Sequence, residues 1–258
     1  MEKTLVYMAN NRNGLLVLRE LKKMGFGLEY LILHPRGKGK FVDEIISESS
    51  LDEDRILFWN AENLNEMIEK MKNCSSKVLF SVNFGYKVPL EILKIFELPL
   101  NLHMGYLPYN KGRNPNVWAI IDGTPAGVSI HRMVEKIDEG EIFARKLVDV
   151  KPWDTGKTLY EKLERASVEL VREKFIDIIQ GNVEPIPNHG GTRHYLKEFK
   201  RICKIDPNKN FSAMEFVNLL RALTFPPYRN AHIEINGRKI YLELNLYPED
   251  EEGSNADR

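Results

Sequence analysis

Residues 77–103 read KVLFSVNFGYKVPLEILKIFELPLNLH. Two short apolar runs, Lys77–Asn83 and Leu98–His103, flank Leu90–Glu97, whose apolar residues recur at helical spacing. Strand, helix and strand in so short a length imply a parallel pair, because parallel neighbours need a crossover between them.

The alternation continues toward the N-terminus. Apolar runs at Thr4–Ala9, Leu28–His34 and Arg55–Trp59 are separated by periodic segments at Gly14–Lys23, Phe41–Ser47 and Leu64–Met71. The expected class is α/β, a Rossmann-like, mainly parallel sheet with helices on both faces and functional residues beyond the C-terminal strand ends. Downstream of the Asp122-Gly123 turn, Gly127–Val134 and Ile142–Val150 read as two more strands. A long helix follows, capped by Asp154 or Thr155, striped with Leu159, Leu163, Ala166, Leu170 and Ile178, and stopped near Gly181.

That helix closes a first domain, 1–182. Residues 183–203, with Pro185, Pro187, Gly190 and Gly191, read as an irregular connector. A small region, 204–247, holds a helix near Ser212–Leu223 and a strand pair, Ala231–Ile235 and Lys239–Leu244. Asn236-Gly237 joins the pair, and Asn-Gly is a strong hairpin signal because both residues tolerate positive φ. The acidic residues 248–258 are expected to be disordered.

The chain has 258 residues, 43% hydrophobic, enough for one core of ordinary size. Its 37 basic residues equal its 37 acidic ones, which gives no support to a nucleic-acid partner. Cys74 and Cys203 lack disulfide or zinc spacing, so no metal is expected and the compartment reads as reducing. No window approaches the roughly 18 apolar residues of a membrane span, and the N-terminal apolar run is too short for a signal. A cytoplasmic protein without a membrane partner is expected.

Glycine-bearing stretches do not specify a nucleotide cofactor. ANNRNG, 9–14, has one glycine where a dinucleotide fingerprint needs three, and PRGKGK, 35–40, lacks the phosphate-loop spacing. The informative segment is NLHMGYLPYNKGRNPNVW, 101–118. Asn101 and His103, two apart, share one face at a strand end before a Pro/Gly/Asn-rich loop. Asp138, in HRMVEKIDEGEIF, belongs to an Asp-x-Gly turn that alone would be structural.

Together, Asn101-x-His103, Leu107-Pro108-x-x-x-Gly112, Gly127-Val128-Ser129-Ile130-His131 and Asp138-x-Gly140 resemble the signature of the folate-dependent formyltransferases. The resemblance covers most of 1–182 and implies a formyltransferase fold with Asn101, His103 and Asp138 as catalytic residues. It also implies 10-formyl-tetrahydrofolate as cosubstrate, with the pterin at Phe84, Gly85, Tyr86 and Val88. One departure is Gly105, where the family commonly has serine.

The chemistry needs such residues. An amine attacks a formyl carbon only as the free base, so a proton acceptor is required, and His103 is the natural candidate. The Asn101 amide can stabilise the developing oxyanion, and Asp138 can orient and steady the imidazole.

For the acceptor, the loop 111–118 and the segment RALTFPPY, 221–228, resemble the sugar N-formyltransferases, which implies a nucleotide-linked (dTDP- or UDP-) amino deoxysugar. Cations can hold a pyrophosphate and aromatic faces can stack on a base. Tyr106, Lys111, Arg113, Asn114, Asn116, Arg221, Phe225 and Tyr228 are the expected substrate-binding set. The short segment after Cys203 argues against a tRNA acceptor. Water as acceptor, or an inactive nucleotide-sugar binding module, are the competing readings. Trp118 is expected in the core, and His131 to be structural or a partner to the folate pocket. A homodimer is expected through the hairpin, whose Ile233, Ile235, Ile240 and Leu242 make an apolar face that a two-stranded ribbon cannot bury alone.

Overall fold

The computed structural model describes residues 3–60 and 64–249; the expected acidic tail lies outside them from residue 250 onward. Strands β1 (Thr4–Ala9), β2 (Gly27–Leu33), β3 (Ile56–Phe58), β4 (Val78–Val82) and β5 (Leu98–His103) run parallel in the order β3-β2-β1-β4-β5. After the two-residue β6 (Lys111–Gly112), strands β7 (Ala126–Arg132) and β8 (Ile142–Val148) extend this sheet antiparallel beyond β5. Burial on both faces explains the unbroken apolar runs of the parallel strands.

Helices α1 (Asn11–Lys23), α2 (Val42–Ser49), α3 (Leu64–Lys72) and α4 (Leu90–Leu93) fill the crossovers, and α5 (Pro115–Ile121) precedes β7. One face of the sheet, with Tyr7, Phe80 and Leu100, packs on Leu18 of α1 and Phe175 of the long α6 (Gly156–Ile179). The other face, with Met8, Ile32 and Leu79, packs on Met67 and Met71 of α3 and Ile92 of α4. Thr155 caps α6 through a reciprocal capping box with Thr158. No helix among the described residues is long and apolar enough to cross a membrane.

Two expectations are corrected. The helix expected over Leu90–Glu97 is a single turn, because Pro99 biases Leu98 toward extended backbone and β5 begins there. The connector is not irregular throughout. Its β9 (Arg193–His194) pairs with β6, and α7 (Leu196–Cys203) follows, started by a reciprocal bond pattern between Tyr195 and Glu198. Beyond it lie α8 (Ala213–Leu223), capped by Ser212, a short pair β10 (Thr224–Phe225) and β11 (Tyr228–Arg229), and the hairpin β12 (His232–Ile235) and β13 (Arg238–Tyr241). Asn236 and Gly237 turn that hairpin with φ of 49° and 74°.

Register decides where the site lies. Ala9 pairs with Val82, and Val82 with Leu102, so β1, β4 and β5 end side by side. β1 has β2 on one flank and β4 on the other, which makes a crevice where the crossovers diverge.

Candidate active site

The crevice opens into a cleft of about 880 Å³. Five residues that line it hold left-handed backbone without being glycine: Asn11, Asn83 and Asn114, with φ of 52–59°, Asp138 at 55° and Phe41 at 57°. Asn and Asp tolerate this region best, and such conformations gather where side chains must be aimed.

Asn101 and His103 leave the end of β5, and the turn between β7 and β8 folds Asp138 back onto them. His103 is 7% exposed and donates its Nε2–H to the Asn110 carbonyl at 2.9 Å; a carbonyl only accepts, so that nitrogen carries the hydrogen. Nδ1 then faces Asp138, 3.7 Å from Oδ2. The same oxygen accepts from the Gly112 N–H at 2.8 Å. On the far side, His131 Nε2 lies 3.4 Å from Asp138 Oδ1 and 3.0 Å from Asn101 Nδ2. Burial alone would raise the Asp138 carboxyl. The His103 and His131 imidazoles and the Gly112 N–H outweigh it and hold the group well below the usual carboxylate range.

Gly105 explains the imidazole's position. A Cβ there would meet His103 Nε2 at 2.6 Å and Cδ2 at 2.8 Å. The ring occupies the space that a side chain at 105 would take. Ser129 holds the turn from below, donating to the Gly105 carbonyl at 2.7 Å and accepting from the Leu107 N–H at 3.0 Å.

One arm of the cleft is aromatic. Phe84, Gly85, Tyr86 and Val88 line it, with Phe84 and Val88 buried and Tyr86 37% exposed. Trp59 and His34 pack edge-on against Phe84, and His34 also bonds the Phe84 carbonyl. The other arm is polar and runs past the start of α1. Asn11 and Asn83 both donate to the Tyr160 hydroxyl at 3.0 Å, and burial, then nearby Glu164, push that phenol up to about 12. Arg12 pairs with Glu164, and Lys40 meets the hydroxyl and ring face of Tyr228 beside Phe225.

Of the expected substrate-binding set, Arg113, Asn114, Asn116, Phe225 and Tyr228 line the cleft; Tyr106, Lys111 and Arg221 do not. Tyr106 lies under the Arg145 guanidinium at 4.6 Å. Lys111 is 3% exposed and donates to Glu139 at 2.6 Å and to the carbonyls of Asn188 and Gly190. Arg221 is 7% exposed and donates to the carbonyls of Lys151 and Asp154 and to Asn218. Both cations are consumed inside the fold. Asn116 faces the cleft but donates to the Gly156 carbonyl at 2.8 Å. Arg12 and Lys40 join Arg113 as cations lining the cleft; their stretches, 9–14 and 35–40, lack the spacing of a nucleotide motif, and so neither residue stood out in the sequence.

The connector also reaches the site. Asn188 Nδ2 donates to the carbonyls of Asp138 and Gly140 at 2.9 and 3.0 Å, Arg193 bonds Glu139 and the Ile137 carbonyl, and the Arg113 N–H donates to the His194 carbonyl. His194 stacks on Trp118 at 4.0 Å. A Cβ on Gly112, at φ +92°, would strike the His194 carbonyl at 2.2 Å, so strap and loop are in direct contact.

The family model described as "Formyl transferase" matches residues 34–174, and the one described as "N-formyltransferase dimerization C-terminal domain" matches 198–248. A dTDP-4-amino-4,6-dideoxyglucose formyltransferase of Mycobacterium tuberculosis is 36% identical over 152 residues. That match spans 58% of this chain and 65% of the relative's length. The crystal structure of a 4-N formyltransferase from Francisella tularensis superposes with a TM-score of 0.81 at 27% identity, covering 96% of this chain and 99% of that one. A formyltransferase from Anoxybacillus kamchatkensis, in complex with UDP-4,6-dideoxy-4-formamido-L-AltNAc and tetrahydrofolate, gives 0.55 at 25% identity over 77% of this chain and 88% of that one.

Proposed function

Because this chain belongs to the formyl transferase family, we propose that it transfers a formyl group from 10-formyl-tetrahydrofolate to the amine of a nucleotide-linked (dTDP- or UDP-) amino deoxysugar. The observation that carries this reading is the Asn101–His103–Asp138 cluster, with His103 and Asp138 buried, set between an aromatic arm and a polar, cationic arm of one cleft.

In the reaction a bond forms between the amine nitrogen and the formyl carbon, and the bond from that carbon to the folate N10 breaks. The amine loses one proton and N10 gains one. His103 accepts the first through its free nitrogen, and Asp138, ionised at neutral pH, steadies the charge that the imidazole then carries. Asn101 turns an amide N–H toward the formyl oxygen as it becomes negative; one such donor contributes about 3 kcal/mol in known cases. The aromatic arm, with Trp59, Phe84 and Tyr86, suits a flat pterin. Arg12 and Lys40 suit a pyrophosphate, and Phe225 and Tyr228 suit a base.

The product, a formamido sugar still activated by its nucleotide, is the kind of donor that glycosyltransferases consume, here in cell-surface polysaccharide synthesis. The free thiols of Cys74 and Cys203 agree with a cytoplasmic setting. The protein works as a homodimer through the C-terminal region. Ile233 and Leu242 pack on their own core, while Met214, Ile235, Ile240 and Tyr241 stay 42–61% exposed for a partner copy. The deciding experiment incubates the protein with 10-formyl-tetrahydrofolate and a panel of dTDP- and UDP-amino sugars. A formamido sugar supports the reading; formate release without any amine indicates a hydrolase, and nucleotide-sugar binding without turnover indicates a binding module. A monomeric mass at micromolar concentration would remove the dimer.

A further inference from the structure

We propose that His131 is a positioning residue of the site: its ring fixes the direction in which the Asn101 amide points. The proposal rests on the formyl-transfer reading for its consequence in turnover, but its geometric part stands alone.

His131 is 1% exposed and lies directly opposite Asn101 across the antiparallel β5–β7 ladder. Its Nδ1 donates to the Arg132 carbonyl at 2.9 Å, so Nδ1 carries a hydrogen and the ring cannot turn over without losing that bond. Nε2 is therefore the deciding atom. As a lone pair it accepts from Asn101 Nδ2 at 3.0 Å, which holds the amide nitrogen toward β7 and leaves its second N–H for the cleft. As an N–H it would turn to Asp138 Oδ1, 3.4 Å away, and Asn101 would have to rotate and present its oxygen instead.

The state of one buried nitrogen and the face of the Asn101 amide are thus one variable. Among the described residues, the Nε2 contact is the only hydrogen bond of the Asn101 side chain. Without it, nothing distinguishes the amide from its flipped form, and a flipped amide offers a developing oxyanion an oxygen where a donor is needed.

The charged groups around His131 are few. His103 faces it from β5, with ring centroids 6.3 Å apart, and Asp138 faces it from the β7–β8 turn. Arg132, next in sequence, bonds the Glu97 carbonyl and lies 3.7 Å from Glu141, while Glu139 is held by Lys111 and Arg193.

A core filler and a positioning residue separate in the variants His131→Phe and His131→Gln, the first keeping bulk and the second restoring an acceptor. With 10-formyl-tetrahydrofolate and dTDP-4-amino-4,6-dideoxyglucose as probe substrates, His131→Phe should lower kcat about tenfold or more while both KM values change less than about threefold. Asn101→Ala added to His131→Phe should cost little further, and His131→Gln should recover most of the rate. Multiplicative losses in the double variant, or near-normal kcat in a folded His131→Phe, would overturn the proposal. Nitrogen-15 NMR of labelled histidines in the free protein gives a reading that needs no turnover. Asn101→Ala should move the His131 Nε2 resonance and leave Nδ1 protonated, and an unmoved Nε2 would overturn it. Coupling seen by NMR in a protein that formylates no acceptor would instead sink the formyl-transfer reading and leave the positioning intact.

Discussion

Replacing Gly105 with alanine tests whether the His103 ring works from the place it occupies. The added Cβ would stand 2.6 Å from Nε2, where ordinary contact begins at 3.4 Å, so the ring must retreat by about 0.8 Å. The Asn110 carbonyl, 3.1 Å from the same Cβ, blocks the backbone from yielding in its place. A bond of 2.9 Å opened by that amount is no longer a hydrogen bond. Stability should fall by about 1–2 kcal/mol, the usual cost of one lost buried bond with a side chain giving way. Turnover should fall further, on the order of 10²-fold, because a shift near 1 Å in a reacting group costs about that much. Urea unfolding measures the first effect and initial rates of formamido-sugar production the second. Gly105→Ser should act in the same direction, since the offending atom is the same Cβ. A Gly105→Ala protein with kcat within about threefold of the parent would refute the reasoning, and would mean that the ring moves during the reaction to a position clear of residue 105.

Three further outcomes are expected. Asp138→Asn should retain folate binding, measured by fluorescence titration, and lose on the order of 10³-fold in kcat. The Asp138 carboxyl is held well below its unfolded range, so its contribution to stability is complete above about pH 5 and lost progressively as pH falls from there toward the depressed folded-state value; in Asp138→Asn, urea midpoints between about pH 5 and 2 should fall less steeply. Lys111→Met should destabilise the protein by about 2 kcal/mol, by orphaning the Asn188 and Gly190 carbonyls and leaving Glu139 to Arg193 alone, with little change in acceptor KM; a raised KM with unchanged stability would restore Lys111 to the cleft. Lys40→Ala should raise acceptor KM about fivefold with stability near that of the parent, and should weaken the salt dependence of KM.

The parallel sheet was legible because strands buried on both faces must be apolar throughout, and Thr4–Ala9 and Leu98–His103 appear with the bounds their apolar runs predicted. The hairpin was legible for a local reason, the positive φ that Asn236-Gly237 supplies. Cation placement was not. Lys111 looks solvent-exposed in its loop, and only the pairing of β6 with β9, more than eighty residues on, buries it. Arg221 sits in the last turn of α8, where basic residues are common, and nothing local reveals that the carbonyls of Lys151 and Asp154 point at it. His131 was read as structural or as a partner to the folate pocket, and only the register of β7 on β5 sets it opposite Asn101. Its ring there reaches Asn101 and Asp138, which no feature of β7 alone reveals.

The strap from Asn188 to His194 bears on how such proteins can be recombined. It lies between the stretches 34–174 and 198–248, outside both family matches, yet it ties the Asp138 turn to the loop at 110–113. A graft of a relative's C-terminal region spliced at Cys203 keeps strap and loop from one parent. Spliced at Gly181, just past α6, the same graft sets a foreign strap against the native loop, and Gly112 beneath the His194 carbonyl has no room for a mismatch. Acceptor preference should therefore be portable between relatives only when the junction respects this seam.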